Sequence, residues 1–120
     1  MKKDSDLDGH PIEGSIWENY VFMELIKSGN YKIGYNLFYY RDQNGVEIDF
    51  LIEQGKKIQL MEAKKAERPN ESKLNFKKVA PLFPKYEVEN ILACTNPEKR
   101  YMKFKEYNVW NPMYIDLVES

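Results

Sequence analysis

The stretch Val46-Glu47-Ile48-Asp49-Phe50-Leu51-Ile52-Glu53-Gln54-Gly55-Lys56-Lys57-Ile58-Gln59-Leu60-Met61-Glu62-Ala63-Lys64 decides the fold. Apolar and polar residues alternate on both sides of Gln54-Gly55-Lys56, the pattern of two half-buried strands joined by a tight turn. On the first strand Glu47, Asp49 and Leu51 are expected to share one face, with Val46, Ile48, Phe50 and Ile52 on the other. On the second, Leu60, Glu62 and Lys64 oppose Met61 and Ala63. With the strands side by side, the acids and Lys64 are expected to converge on one face, and Asp49 and Glu62 need only a compatible register to come within coordination distance of one cation. Two carboxylates suit a hard ion such as Mg²⁺ or Mn²⁺.

Working outward, Tyr35 to Arg41 is aromatic-rich and strand-like, and Asp42-Gln43-Asn44-Gly45 is a turn, so three strands follow one another through short antiparallel connections. Upstream, Trp17, Tyr20, Val21 and Leu25 follow helical spacing from Ser15, an N-cap candidate, to Lys27, where Ser28-Gly29-Asn30 stops the helix. Downstream, Asn70 to Ala80 carries Leu74, Phe76 and Val79 at amphipathic helical spacing and is ended by Pro81 and Pro84. A buried strand is expected at Glu89 to Thr95, a short helical or irregular piece around Tyr101, Met102 and Phe104, and a last strand at Val109 to Val118, interrupted at Pro112. The expected class is therefore α/β: a mixed sheet of about four or five strands in the order α-β-β-β-α-β, with the meander at its centre and the two helices packed on it.

The chain has 120 residues, enough for one core and too few for two, so one domain is expected from residue 14 onward after a loosely ordered arm, Met1 to Glu13. Within that arm Asp4-Ser5-Asp6-Leu7-Asp8-Gly9 has the acidic alternation of a calcium loop, but the twelfth loop position is Ser15 instead of glutamate and no helix precedes it. Apolar runs are only a few residues long, which argues against a membrane partner and for a soluble, cytoplasmic protein. The single cysteine, Cys94, lies in an apolar stretch and is expected to be a buried structural thiol. One histidine and one cysteine leave no ligand set for structural zinc.

The net charge of −1 argues against binding nucleic acid by global electrostatics. The distribution is uneven. Residues 54 to 78 hold eight bases and three acids, whereas residues 1 to 53 hold ten acids and five bases. Lys56, Lys57, Lys64, Lys65, Arg68, Lys73, Lys77 and Lys78 therefore form a local basic segment. It has two readings: a solvated helix face and hairpin, or a phosphate-contacting surface in which Lys56, Lys57, Lys65, Arg68, Lys73 and Lys77 touch nucleic acid.

An acid-x-lysine triplet is a weak signal alone, and Glu71-Ser72-Lys73 is another example. Glu62-Ala63-Lys64 gains weight from its strand, the glycine turn before it and Asp49 thirteen residues upstream. Helix with glutamate, hairpin, strand with aspartate, turn, strand with glutamate-x-lysine, then helix and strand resembles the PD-(D/E)xK nuclease-like superfamily of restriction endonucleases and Holliday-junction resolvases. More narrowly, Gly14-Ser15-Ile16-Trp17-Glu18-Asn19-Tyr20-Val21 with Glu24-Leu25, Tyr40-Arg41-Asp42, Gly45-Val46-Glu47-Ile48-Asp49-Phe50 and Met61-Glu62-Ala63-Lys64 resemble the uncharacterised C-terminal domain of bacterial and archaeal AAA-type ATPases, over residues 9 to 118. The resemblance implies a restriction-endonuclease-like sheet and metal-dependent hydrolysis of DNA. Asp49, Glu62 and the Ala63 carbonyl would hold Mg²⁺ or Mn²⁺, Lys64 would act on the attacking water or the phosphate, and Glu18 would be a further ligand or a partner of one. Ala63 and Lys65 depart from the relatives' more usual valine and small residue. No phosphate-binding glycine-rich loop occurs, so no ATPase module is present in this sequence.

Each assignment has a plainer counterpart. Glu18 could belong to a helix-capping box, Glu24 to a solvent-facing helix side, and Glu47 to an ion pair with Arg41 across the hairpin. Asp49, Glu62 and Lys64 could form a structural salt-bridge network, and Tyr39 and Tyr40 are read as sheet packing rather than base-stacking platforms. At the level of the whole protein the alternatives are a nuclease, a non-catalytic interaction module of an AAA ATPase system that keeps the nuclease fold, and a remnant of a longer gene product.

Overall fold

A computed structural model of the protein describes residues 11–67 and 71–114. Helix α1 (Pro11–Lys27) leads into strands β1 (Leu37–Arg41), β2 (Glu47–Gln54) and β3 (Lys57–Lys64). A crossover containing the one-turn helix α2 (Phe76–Val79) leads to β4 (Glu87–Cys94), then β5 (Tyr101–Lys103) and β6 (Asn108–Trp110). The strands form one mixed six-stranded sheet in the order β1-β2-β3-β4-β6-β5. β1, β2 and β3 are antiparallel, β4 runs parallel to β3, and β6 parallel to β4. The meander thus forms one half of the sheet, and β3 and β4 occupy its centre. It is displaced from the expected central position because the crossover adds a parallel strand on the far side of β3. Among the described residues no helix is long and apolar enough to cross a membrane.

Two apolar layers sandwich the sheet. Trp17, Val21 and Leu25, one helical turn apart, bury α1 against Phe50, Ile52, Met61 and Ala93, and the Trp17 Nε1–H donates to the Ala93 carbonyl at 3.0 Å. On the other face Phe76 and Val79 of α2 pack with Ile48, Leu51, Leu60, Leu92 and Val109. Full burial of one such side chain is worth about 1.5–3 kcal/mol, so these layers fix which face of the sheet each helix meets. Cys94 is buried, as expected of a structural thiol, and burial pushes its proton affinity up.

The helix begins at Pro11, four residues before the expected start, because proline has its φ preset and lacks the N–H that a first turn leaves unsatisfied. Ser15 is consequently inside the helix instead of capping it, residues 11–13 of the expected arm are helical, and its residues 1–10, with the calcium-loop look-alike, lie outside the described residues. Gly29, at φ +77°, ends α1 in the left-handed conformation that favours glycine, and its N–H donates to the Ile26 carbonyl at 3.0 Å. The two-residue turn Gly55-Lys56 likewise needs the positive φ of Gly55, +62°.

The expected helix from Asn70 to Ala80 is instead a 3₁₀ turn (Glu71–Lys73), α2, and a second 3₁₀ turn (Ala80–Leu82). Asn75 explains the late start: its N–H donates to the Glu62 carboxylate and its Nδ2 to the Glu47 carbonyl, so neither serves an upstream turn. Tyr101 to Lys103, read as helical or irregular, is strand β5. The last strand is only Asn108–Trp110, and the expected extension to Val118 reaches beyond the described residues.

Candidate functional site

The decisive local feature is a β-bulge. β1 pairs Phe38 with Leu51 but Tyr40 with Ile48, which leaves Tyr39 opposite two residues, Asp49 and Phe50. Alternation along β2 therefore slips: Ile48 packs with Leu51 on the α2 side, while Phe50 and Ile52 pack under α1. The expectation that Val46, Ile48, Phe50 and Ile52 share one face is overturned. Pairing of β2 with β3 is regular from Gln54↔Lys57 to Phe50↔Met61. The next residues along these strands are Asp49 and Glu62.

At that end Asp49 acts as a ladder acceptor, its Oδ2 receiving the Ala63 N–H at 2.7 Å. Because the N–H and C=O of a strand residue project to the same side, the Ala63 carbonyl also faces the β2 side. Glu62, 2% exposed, is the buried acid of the central strand. Its Oε2 accepts the Asn75 N–H at 2.6 Å from the crossover, and its Oε1 lies 3.8 Å from the Lys64 Nζ. Asp49 is met from the other side by the Glu18 carboxyl of α1, which shares a hydrogen bond with it. The two acids therefore approach the end of the ladder from the α1 side and the α2 side, which corrects the expectation that they share one face of the sheet, and Lys64 is the cation felt by Glu18, Asp49 and Glu62 alike.

Three carboxylates around one ammonium leave an excess of negative charge, and the proton affinities record it. Burial raises Glu62 to about 6, against the relief of the Asn75 N–H and Lys64. Burial likewise raises Asp49, opposed by the Ala63 N–H and Lys64 and assisted by Glu47. Glu18 is raised by burial and then by the charge of Asp49. Among the described residues no group of three or more His, Cys, Asp or Glu side chains is arranged to hold a metal ion. A cation held here would draw on one oxygen of Asp49, one of Glu62 and the Ala63 carbonyl, a hard-oxygen set whose surplus charge a divalent ion would offset.

The remaining candidates are dispersed. Glu47 pairs with Arg41 across the hairpin, the plainer of its two readings, and Glu24 pairs with Lys27. Lys57 stands seven residues from Lys64 along β3, roughly 23 Å at strand rise, and is held by Glu89 at 2.8 Å. Lys56, in the adjoining turn, is at that same far end. Lys77 pairs with Glu106 at 3.3 Å, Lys73 lies in the 3₁₀ turn, Lys65 follows the end of β3, and Arg68 is outside the described residues. Among the described residues, Lys56 and Lys57 thus lie at the end of β3 opposite to Lys64.

Asn75 is the site residue that the sequence did not reveal. Its one signal was an asparagine just before the apolar turn Phe76–Val79, a position where asparagine commonly caps a helix.

No curated protein and no solved structure matches the chain. The model of a family described as a domain of unknown function does match it, over residues 13–113, an interval that contains Glu18, Asp49, Glu62, Lys64 and Asn75. The chain therefore belongs to the DUF4143 family, which is commonly found with AAA ATPase domains.

Proposed function

We propose that this domain has a restriction-endonuclease-like fold and hydrolyses phosphodiester bonds of nucleic acid at the Asp49, Glu62 and Lys64 end of β2 and β3, with Mg²⁺ or Mn²⁺ as cofactor. The observation that carries the reading is Glu62 itself. A carboxylate 2% exposed in the central strand, with one amide and one lysine as partners, is costly to keep ionised. Accepting the Asn75 N–H needs only a neutral acceptor; a role in holding a cation explains why the residue is a carboxylate.

Asp49 and Glu62 would hold the ion together with the Ala63 carbonyl, their second oxygens pinned by the Ala63 and Asn75 amides so that the first ones stay aimed. When bound, the ion would lower the pKa of a coordinated water and offset charge on the in-line transition state. Lys64, 40% exposed, reaches past the strand end toward solvent. There its ammonium can orient the water and neutralise the phosphate oxygens. Glu18, facing Asp49 from α1, would help to keep Asp49 in place as charge at the site changes.

Metal titration by calorimetry, run beside digestion of branched, single-stranded and duplex DNA by wild type and Lys64→Ala, tests this reading. The expected result is divalent-ion binding and cutting by wild type, with turnover lost and the fold intact in Lys64→Ala. The family's association with AAA ATPase domains favours a second reading, an interaction module of an ATPase system. Clean protein that binds no divalent ion and leaves all three substrates whole would establish that one instead, and cutting unchanged in Lys64→Ala would identify a contaminant.

A further inference from the structure

The bulge that displaces Asp49 also displays Tyr39. Its side chain is 76% exposed, although it sits in a strand directly opposite Asp49 and Phe50. Among the described residues its ring stacks on no other aromatic ring. The packing role expected from the sequence is therefore absent. By strand alternation Tyr39 shares a face of β1 with Arg41, and that face is the α1 side on which Leu37 packs. On the same side, a cavity of about 340 Å³ opens between α1 and β2, lined by Ser15, Glu18, Asn19, Phe22 and Phe50. Phe22 and Phe50 stack as its aromatic wall, with ring centroids 6.2 Å apart. An exposed ring, a small pocket with an aromatic wall and polar rim, and the candidate acids thus lie together.

We propose that Tyr39 stacks on an unpaired base beside the phosphate to be cut, and that the cavity at Phe22 and Phe50 receives the neighbouring nucleotide, so that the substrate is a single-stranded or splayed segment rather than continuous duplex. This rests on the hydrolytic reading above. Two arguments favour it over a duplex. The faces of bases inside a duplex are already stacked, whereas an unpaired base offers its face to an aromatic side chain. Affinity for a duplex would come mainly from lysines and arginines along the phosphates, yet Lys57 and Lys77 are held by Glu89 and Glu106 and the chain's net charge is −1. Stacking supplies affinity without net positive charge.

Fluorescence anisotropy with a labelled single-stranded oligonucleotide and its duplex, in Ca²⁺ and with probe integrity checked, tests the proposal. Wild type is expected to prefer the single strand, with a shallow salt dependence. Tyr39→Ala should weaken that binding about tenfold, within the range for losing one stacked base, while Tyr39→Trp retains it and both variants unfold at the wild-type temperature. If, with Mg²⁺ in place of Ca²⁺, wild type cuts duplex and single strand alike and Tyr39→Ala alters neither binding nor cutting, the stacking role is wrong and hydrolysis stands. If no oligonucleotide binds, both fall. If Tyr39→Ala changes only the sedimentation of the protein, the exposed edge is a contact between copies and the proposal is overturned.

Discussion

Two carboxylate clusters on the same sheet are built in opposite ways. Near the start of β4, Glu89 receives Asn108 Nδ2 at 2.6 Å, Lys57 Nζ at 2.8 Å, Gln59 Nε2 at 2.9 Å and the Tyr101 hydroxyl at 3.2 Å. Burial works against its charge, but these donors win and hold it at about 2. At the end of β2 and β3, Glu62 has one amide and one distant ammonium, and burial wins, lifting it to about 6. The first carboxylate is saturated by its own protein and ties the β5–β6 hairpin to β3 and β4. The second is left short of positive charge. A site that the fold leaves under-compensated is where an external ion or phosphate-bound ion has something to contribute.

Substitutions at the two ends should separate accordingly. The largest effect is expected from Lys64→Ala, which should lower nuclease turnover by about 10²–10⁴-fold, the usual worth of a positioned acid–base or electrostatic group, while circular dichroism and unfolding temperature stay near wild type. Glu89→Ala should do the reverse. Losing the acceptor of four donors should cost about 2–3 kcal/mol in denaturant unfolding, with cutting by the folded fraction unchanged.

Next in size is the pH response. Glu62 holds its proton more tightly folded (about 6) than at its ordinary 4.5, so its contribution to stability is greatest below 4.5 and declines as pH rises through 4.5 to 6. The decline is about 2 kcal/mol at 1.36 kcal/mol per unit. Glu62→Gln should remove that slope and raise stability at pH 8 by about 1–2 kcal/mol while abolishing activity, a trade typical of functional sites. Glu89 has the opposite sign. Its folded value is depressed, so its stabilisation is present above 4.5 and is lost as pH falls toward 2, worth about 1–2 kcal/mol after solvent screening. Chemical denaturation at a series of pH values would resolve the two. The smallest expected effect is on the stability of Tyr39→Ala, within about 0.5 kcal/mol of wild type because the ring is exposed.

The same contrast shows what a sequence can disclose. Apolar spacing was sufficient to locate α1, the meander and the buried β4, since hydrophobic period reports the side of an element that meets a core. It also pointed to Glu62 and Lys64, whose two-residue spacing on β3 survives intact. The bulge was not legible because Glu47-Ile48-Asp49-Phe50 alternates as written and the apolar run Phe50-Leu51-Ile52 does not say which side each residue faces; only the partner strand, pairing Tyr40 with Ile48 and Phe38 with Leu51, reveals the extra residue. The separation of Lys57 from Lys64 was illegible for a related reason: nearness along the chain is distance along a strand, and β3 carries the two to opposite ends. Glu89's donors come from three other strands, so no local pattern announced them.

Isothermal titration of the protein with Mn²⁺ at pH 6, in two buffers of different ionisation heat, tests the central claim most directly. If the end of β2 and β3 is a cation site, one ion should bind, and protons should be released because Glu62 is half protonated there. Asp49→Asn should weaken the binding and Glu62→Gln should reduce the proton release, while Glu89→Gln leaves both unchanged. Binding that is absent in wild type, or that persists undiminished in both Asp49→Asn and Glu62→Gln, would contradict the claim.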